Sequence, residues 1–493
     1  LKGKNTMSLD AANQAALDEV AEAAELEPAP PSLAPPPEPE RPALDPRTRR
    51  LVEAPIAATL IRLAAPNMLV MIVQASLGLI ETYFVGWLGT DALAGIALVF
   101  PAVMLMQMMS AGAVGGGISS AVARALGARR RDDADRLAVH AIAIGVGFAA
   151  VFSAAVLIGG RALYAAMGGS GAALDAAMIY SNVIFAGLVL IWVFNALANV
   201  IRGTGNMAFP AWVSIAGTVV LVPLSPCLIF GWGPFPRLGI AGGGTAVLLY
   251  YAIGVAVLGW YLCSGRSVVR LRLSGWRLEA RLFKEILRVG LIAALITVQT
   301  NATVALTTAL VARFGPAAIA GYGVGSRLEY LLVPLVFGLG GPLVAMVGTS
   351  IGAGRGERAL RTAWIGAGIA FCLTETIGLA AAAMPLAWLN LFDHDPTMLA
   401  AGAQYLRVVG PCYGLFGLGM ALYFASQGAG RLRWPLTAAV TRFVIAAGGG
   451  WLAFRFTGDL TYVFVALAVA LVVFGAINAT AVAAGAWFAR PAR

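Results

Sequence analysis

Charge is what this sequence has least of. Of its 493 residues, 12% are Asp, Glu, Lys or Arg, about half the share a soluble domain carries. So little charge over so long a chain excludes a protein that is bathed in water over most of its surface. Histidine is nearly missing, with two residues. The four cysteines (Cys227, Cys263, Cys372 and Cys412) are scattered through apolar stretches in no CxxC or other metal-ligand spacing. They read as reduced packing residues. His394, between Asp393 and Asp395, offers too few ligands for a metal, so no metal is expected. His140, next to Arg129–Arg131, reads as an interfacial histidine, with a pH switch as the alternative. There is no Walker A sequence, no HExxH and no GxSxG, so neither ATP-driven transport nor an enzyme is expected, and no cofactor. The triplets Gly115–Gly117 and Gly448–Gly450 fall inside apolar runs and read as packing features, not as phosphate loops.

What the chain has in abundance is apolar length. Mean hydropathy is +0.82, and 59 residues are glycine, which membrane helices use for close packing. A bilayer core needs about 20 mostly apolar residues per helix. Twelve stretches qualify, at residues 56–86, 91–122, 137–159, 174–201, 209–231, 239–263, 284–312, 317–350, 360–389, 398–425, 434–455 and 461–488. Residues 1–50 are different. They are rich in Ala, Pro and Glu, bury too little apolar surface to offset the entropy of ordering, and are expected to form a disordered tail.

The net charge of +10 points to lipid and to membrane orientation, not to nucleic acid. The arginines cluster between spans 2 and 3 (Arg124 to Arg136), 6 and 7 (Arg266 to Arg281), 8 and 9 (Arg355, Arg358, Arg361) and 10 and 11 (Arg431, Arg433). With twelve spans all these loops fall on one side, together with both termini. The positive-inside rule makes that side cytoplasmic. The expected setting is a bacterial inner membrane, crossed many times.

The chain repeats itself. Gly127-Ala128 matches Gly352-Ala353, Gly203 matches Gly428 and Pro210 matches Pro435, each at an offset of 225. Gly89 through Gly95 matches Gly315 through Gly321 at 226. Each repeat holds an even number of spans, so the halves share one orientation and are related by an axis along the membrane normal. The expected fold is therefore all-α and polytopic, with twelve transmembrane helices in two six-helix bundles related by pseudo-two-fold symmetry. The divisions are a tail at 1–50, an N-terminal lobe at 51–265, a cytoplasmic linker at 266–283 and a C-terminal lobe at 284–493. Transporters built this way hold their substrate between the halves and rock one against the other.

An ionisable group at membrane depth is costly, so each is a functional candidate. Glu81 follows Pro66 on the first span, and its repeat partner is Thr307. Apolar walls penalise the charged carboxylate, so such a group can load and release a proton. Pro66 removes a backbone hydrogen bond and forms a hinge. The competing reading of Glu81 is a wet residue near the outer interface. Glu375, mid-way along span nine, and Glu329, on span eight, are the other candidates for ion coupling, with an ion pair to an arginine as their competing role. Arg327 and Arg442 read as members of structural ion pairs. Of the polar residues within spans, Gln74, Asn195, Asn199, Gln299 and Asn301, together with Tyr322 and Arg327, are candidates to line a substrate cleft, although such residues more commonly glue helices together. Met104, Met106, Met108 and Met109 offer an adaptable apolar surface.

Several segments together resemble one family. The first two spans contain Pro66-Asn67, Gln74, Gly78-Leu-Ile-Glu81-Thr82, Val85-Gly86-Trp-Leu-Gly89 and Leu93-Ala94-Gly95. Span four ends in Ile201-Arg202-Gly203-Thr204-Gly205-Asn206 and span ten in Ser426-Gln427-Gly428-Ala429-Gly430-Arg431. In order and spacing these are similar to the multidrug and toxic compound extrusion (MATE) transporters, more to their DinF-like than to their NorM-like branch, over about residues 55–490. The resemblance implies export of small organic, cationic or amphipathic solutes by a monomer, driven by protons or sodium. The sequence departs from the family at Glu81, where Asp is common, and at Ser225, where many members have Asp. The stretches Leu295–Asn301 and Gly414–Tyr423 lack the carboxylates of NorM-like members, which favours protons as the coupling ion over sodium. A flippase for lipid-linked saccharides is the second reading, because Arg327 and Arg442 are suited to a phosphate.

Overall fold

The computed structural model describes residues 44–272 and 277–488 and the single position Gln14; for residues 74–79, 330 and 331 only the backbone is described. Most of the expected tail, residues 1–43, lies outside the described residues. Its last positions do not behave as a tail. Pro46–Glu53 is a helix, α1. Asp45 caps it by accepting from the Arg47 N–H at 2.9 Å, Pro46 occupies its first turn, where the missing N–H costs nothing, and Arg49 pairs with Glu53 one turn on at 2.6 Å. The Arg49 hydrogen bond holds the Glu53 carboxyl below the usual carboxylate range. Leu51 and Val52 are buried. The orphan carbonyls at the end of α1 are taken up by Arg355, on Val52 O at 3.1 Å, and by Arg358, on Leu51 O at 3.2 Å.

The spans follow in order. The N-terminal lobe has α2 (Ile56–Gly86), α3 (Thr90–Gly127), α4 (Arg131–Ala166), α5 (Gly171–Ala186), α6 (Leu188–Gly203), α7 (Ala208–Phe230) and α8 (Ile240–Cys263). The C-terminal lobe has α9 (Ala280–Val311), α10 (Pro316–Gly352), α11 (Gly356–Ala383), the short α12 (Pro385–Leu389), α13 (Pro396–Ala429), α14 (Arg433–Thr457) and α15 (Leu460–Ala483). The fourth span, expected over 174–201, is bent by 48° between α5 and α6. Its repeat partner α13 is interrupted by a 3₁₀ turn at Gly410–Cys412. With the bent pair counted as one span, twelve helices among the described residues are long and apolar enough to cross a membrane. Lipid demands this architecture, because a helix satisfies its backbone polar groups internally.

Residues 266–272 and 277–279 of the linker lie on the basic end of α4. Arg270 N–H donates to Asp135 at 2.8 Å and Glu279 N–H to His140 Nε2 at 2.8 Å, while His140 Nδ1 faces the Arg136 carbonyl at 2.8 Å. Nε2 thus holds the linker while Nδ1 is fixed by the preceding turn of α4, which gives His140 a structural role. Arg281 adds an ion pair to Asp133 at 2.8 Å.

The repeat is visible in the contacts. A Cβ on Gly127 would collide with the Thr349 carbonyl, and one on Gly352 with the Arg124 carbonyl. These four residues are two repeat pairs, so the basic ends of α3 and α10 cross on the pseudo-two-fold axis, each glycine against the other helix's backbone. Gly354, with φ +73°, follows the end of α10; its repeat partner Arg129 has φ 61°, the only left-handed residue other than glycine among those described. The same left-handed turn after the helix is taken by glycine in one half and by arginine in the other.

This crossing predicts the effect of one added side chain. Gly352→Leu has no room with the lobes closed on the basic side, and overpacking costs about 1–3 kcal/mol. Spin labels at positions 131 and 357 should move apart, with the open population rising roughly tenfold or more. An unchanged distance distribution would show that the crossing does not set the conformation.

Candidate functional site

Each lobe holds one carboxylate against one tyrosine, and the two tyrosines are repeat partners. In the N-terminal lobe Tyr180, on α5, donates its hydroxyl to Glu81 Oε1 at 3.1 Å. In the C-terminal lobe Tyr405, on α13, donates to Glu329 Oε1 at 2.5 Å. Positions 180 and 405 are related by the repeat offset of 225. The carboxylates are not so related, since Glu81 is on the first span of its lobe and Glu329 on the second span of the other. Comparing register at Glu81 alone finds only Thr307 and misses the correspondence; the signal lay in the tyrosines.

The surroundings of the two acids differ. Glu81 is half-buried beside a gap of about 10 Å³ lined by Phe84, Leu221 and Ser225, at the lower limit of what one water needs. The Ser225 hydroxyl is buried and has no partner among the described residues. Glu329 is on the wall of a cavity of about 440 Å³ in the C-terminal lobe. That cavity lies between α9, α10, α13 and α14 and is closed on the side of the other lobe by Met108 and Gly112 of α3. Of the expected cleft residues it contains Asn301, Tyr322 and Arg327.

Arg442 also lines the cavity. Its guanidinium lies 5.3 Å from the centre of the Phe416 ring and 5.7 Å from that of Phe474, and Arg327 lies 5.7 Å from Phe392. The expectation of ion pairs for these two arginines does not hold. Among the described residues neither forms one. Glu329 shares the cavity wall with Arg442, but its hydrogen bond comes from Tyr405. Aromatic faces take the place of carboxylates, which leaves the positive charge turned toward the cavity. The aromatic residues Phe337, Tyr423 and Phe424 complete the lining; their spacing along the chain resembles that of any buried aromatic, so the sequence did not mark them.

The remaining expected residues are elsewhere. Asn195 donates to Ser110 Oγ at 3.0 Å and Asn199 to the Ala111 carbonyl at 3.2 Å. Both hold the π-helical segment Met108–Val114, where the α3 ladder is interrupted. Gln427, from the other lobe, donates to Gly112 O at 3.3 Å in the same segment. Gln299 bonds Thr303 on its own helix at 2.9 Å and does not line the cavity. The Gln74 side chain lies outside the described residues. Helix α2 passes Pro66 unbroken; the next residue, Asn67, donates to Phe337 O at 3.3 Å and Gly338 O at 3.2 Å, tying the hinge position to α10. Glu375 accepts the Gly414 N–H at 2.7 Å, a donor freed where α13 restarts after its 3₁₀ turn. It reaches neither Glu329 nor the large cavity.

The comparisons agree with one another. The profile of the MatE family matches residues 66–227 and 293–452, one stretch in each lobe. The chain is 28% identical to the FAD transporter of Shewanella oneidensis, over 76% of this chain and 82% of that one. It is 29% identical to the probable multidrug resistance protein NorM of Deinococcus radiodurans, over 79% of this chain and 86% of that one. Among solved structures, a MOP-superfamily transporter of Pyrococcus furiosus has a TM-score of 0.81 at 23% identity, over 91% of this chain and all of that one (100%). An outward-facing multidrug resistance transporter of the MATE family has a TM-score of 0.80 at 22% identity, over 90% of this chain and 99% of that one. At such identities the structures speak for the fold.

The geometry of Glu375 gives a prediction that separates support from coupling. Glu375→Ala leaves the Gly414 N–H without its acceptor and should cost about 1–3 kcal/mol of stability, read as a lower thermal midpoint. Transport per folded molecule should stay near wild type. Loss of transport with an unchanged midpoint would place Glu375 on the ion path.

Proposed function

Because the chain belongs to the MatE family of multidrug and toxic compound extrusion transporters, we propose that it exports small amphipathic organic solutes by proton antiport. The observation that carries the proposal is Glu81, a carboxylate at membrane depth whose hydrogen bond comes from Tyr180 and whose other side faces the unpartnered Ser225 hydroxyl. A charge there is poorly solvated, and a proton relieves it. Protonation changes what α2 presents to α7, and α2 carries Pro66 and the Asn67 contact to the other lobe. Proton loading at Glu81 thereby biases how the lobes meet. Glu329, on the cavity wall and bonded from behind by the buried Tyr405, is the second coupling group, where cargo and proton meet. Glu375 we assign to the support of α13.

In this proposal the basic loops and both termini lie on the cytoplasmic side of a bacterial inner membrane, as the positive-inside rule supports, and the transporter acts as a monomer. The crossing of Gly127 and Gly352 then closes the cytoplasmic side, so the form described faces outward. Alternating access requires that this crossing open.

A second reading has its own support. Arg327 and Arg442 line the cavity with no carboxylate pairing, which suits cargo carrying a phosphate, whether an anionic aromatic solute or the lipid-linked saccharide of a flippase. The Shewanella oneidensis relative named an FAD transporter fits the anionic form of this reading.

Proteoliposomes test both readings. Under an imposed pH gradient, wild type should move ethidium, and Glu81→Gln should lose the gradient-driven part of the flux by tenfold or more. If the mutant matches wild type, coupling does not run through Glu81. If wild type moves a flavin nucleotide but no organic cation, and Arg442→Gln abolishes that flux, the anionic reading replaces the cationic one.

A further inference from the structure

A second basic pocket, of about 180 Å³, opens on the arginine-rich side, away from the transport cavity. It is formed by the start of α9, the turn between α13 and α14 and the end of α15. Arg288, Arg431 and Arg433 line it, and no carboxylate does. None of the three forms an ion pair among the described residues. Nearby arginines on this face are matched to acids, as Arg130 and Arg281 are to Asp133. Three unmatched guanidiniums around one hollow therefore call for an anion.

The floor of the pocket says more. Asn478 is 1% exposed. Its amide nitrogen donates to Phe474 O at 2.9 Å, and its Oδ1 is buried with no partner among the described residues. A buried acceptor without a donor is costly, and the phosphodiester of a phospholipid, which carries no O–H, would not supply one. The rim carries Trp434, half-exposed at 52%; tryptophan favours the headgroup level of a bilayer. Trp487, also in the lining and buried, donates to Ser426 Oγ at 3.2 Å.

We propose that this pocket binds the headgroup of an anionic phospholipid of the cytoplasmic leaflet that bears a hydroxyl beyond its phosphate, phosphatidylglycerol being the simplest. The phosphate is held by Arg288, Arg431 and Arg433, and a headgroup hydroxyl donates to Asn478 Oδ1. Basic pockets between helices on the cytoplasmic side are suited to such lipids. The placement has a consequence for the transporter. The pocket is built on the turn that the N-terminal lobe grips, where Ser120 Oγ donates to Gln427 O at 2.5 Å and Arg124 to Gly428 O at 3.2 Å. A bound headgroup braces that turn and favours the form closed on the cytoplasmic side.

The test uses the purified full chain in mixed micelles. Added phosphatidylglycerol should be retained in native mass spectra and raise the thermal midpoint by several degrees, and phosphatidylcholine should do neither. Arg288→Gln with Arg431→Gln should weaken retention at least tenfold. Arg361→Gln, an exposed arginine outside the pocket, should respond as wild type. Asn478→Leu should lose the preference for phosphatidylglycerol over phosphatidylethanol, which has the phosphate without a headgroup hydroxyl. Equal behaviour of the two lipids in wild type, or an undiminished response in the double variant, overturns the proposal. So does an equal shift from inorganic phosphate at millimolar concentration, which would make the pocket a site for free phosphate.

Discussion

Two helices can meet backbone to backbone only where neither carries a side chain at the crossing. Gly127 and Gly352 provide that place, and the lobe arrangement hangs on it. Because they are repeat partners, the contact lies on the symmetry axis and each lobe makes the same contribution. On the same side α1 is held through its last carbonyls by Arg355 and Arg358, and the N-terminal lobe reaches across through Ser120 and Arg124 to the end of α13. The basic side is therefore rich in contacts between lobes, whereas the 440 Å³ cavity lies further along the spans.

Hydrocarbon explains why the polar residues sort as they do. A helix that is interrupted inside a membrane exposes backbone groups that no water can reach. Asn195, Asn199, Gln427 and Glu375 all answer such interruptions, the first three at the π segment of α3 and the last where α13 restarts. These residues look like cleft residues in a sequence, because both roles put an isolated polar group in an apolar run. Only the local backbone separates them, and a π segment leaves no mark in composition. Asn301, Tyr322, Arg327 and Glu329 lie on helix faces with no interrupted backbone to serve, and these line the cavity.

The fold was legible because its determinants are long-range averages and exact spacings. Apolar runs gave the spans, arginine placement gave a consistent side for the loops, and the offset of 225 gave the duplication. The tail boundary was misplaced by a few residues, since α1 depends on the Asp45 cap and on arginines some 300 positions away, which composition does not weigh. The ion pairs expected of Arg327 and Arg442 failed for a similar reason. Charge counting finds acids for arginines, whereas these guanidiniums rest on aromatic rings, a pairing invisible to charge.

The duplication conserved the donors and let the acids move. Tyr180 and Tyr405 occupy one position in the two repeats, yet each serves a carboxylate on a different helix. A lobe that inherits the tyrosine inherits a buried hydroxyl needing an acceptor, and more than one neighbouring helix position satisfies it. Once an acid is placed, its surroundings fix what it can do. Beside a gap the size of one water, Glu81 has room for a proton and little else. On the wall of a cavity large enough for an organic molecule, among aromatic rings and two unpaired arginines, Glu329 meets whatever enters. The same hydrogen bond thus sits beside a gap the size of one water in one lobe and on the wall of a large, charged cavity in the other, and that asymmetry suits the proposed division between an ion-responsive half and a cargo-binding half.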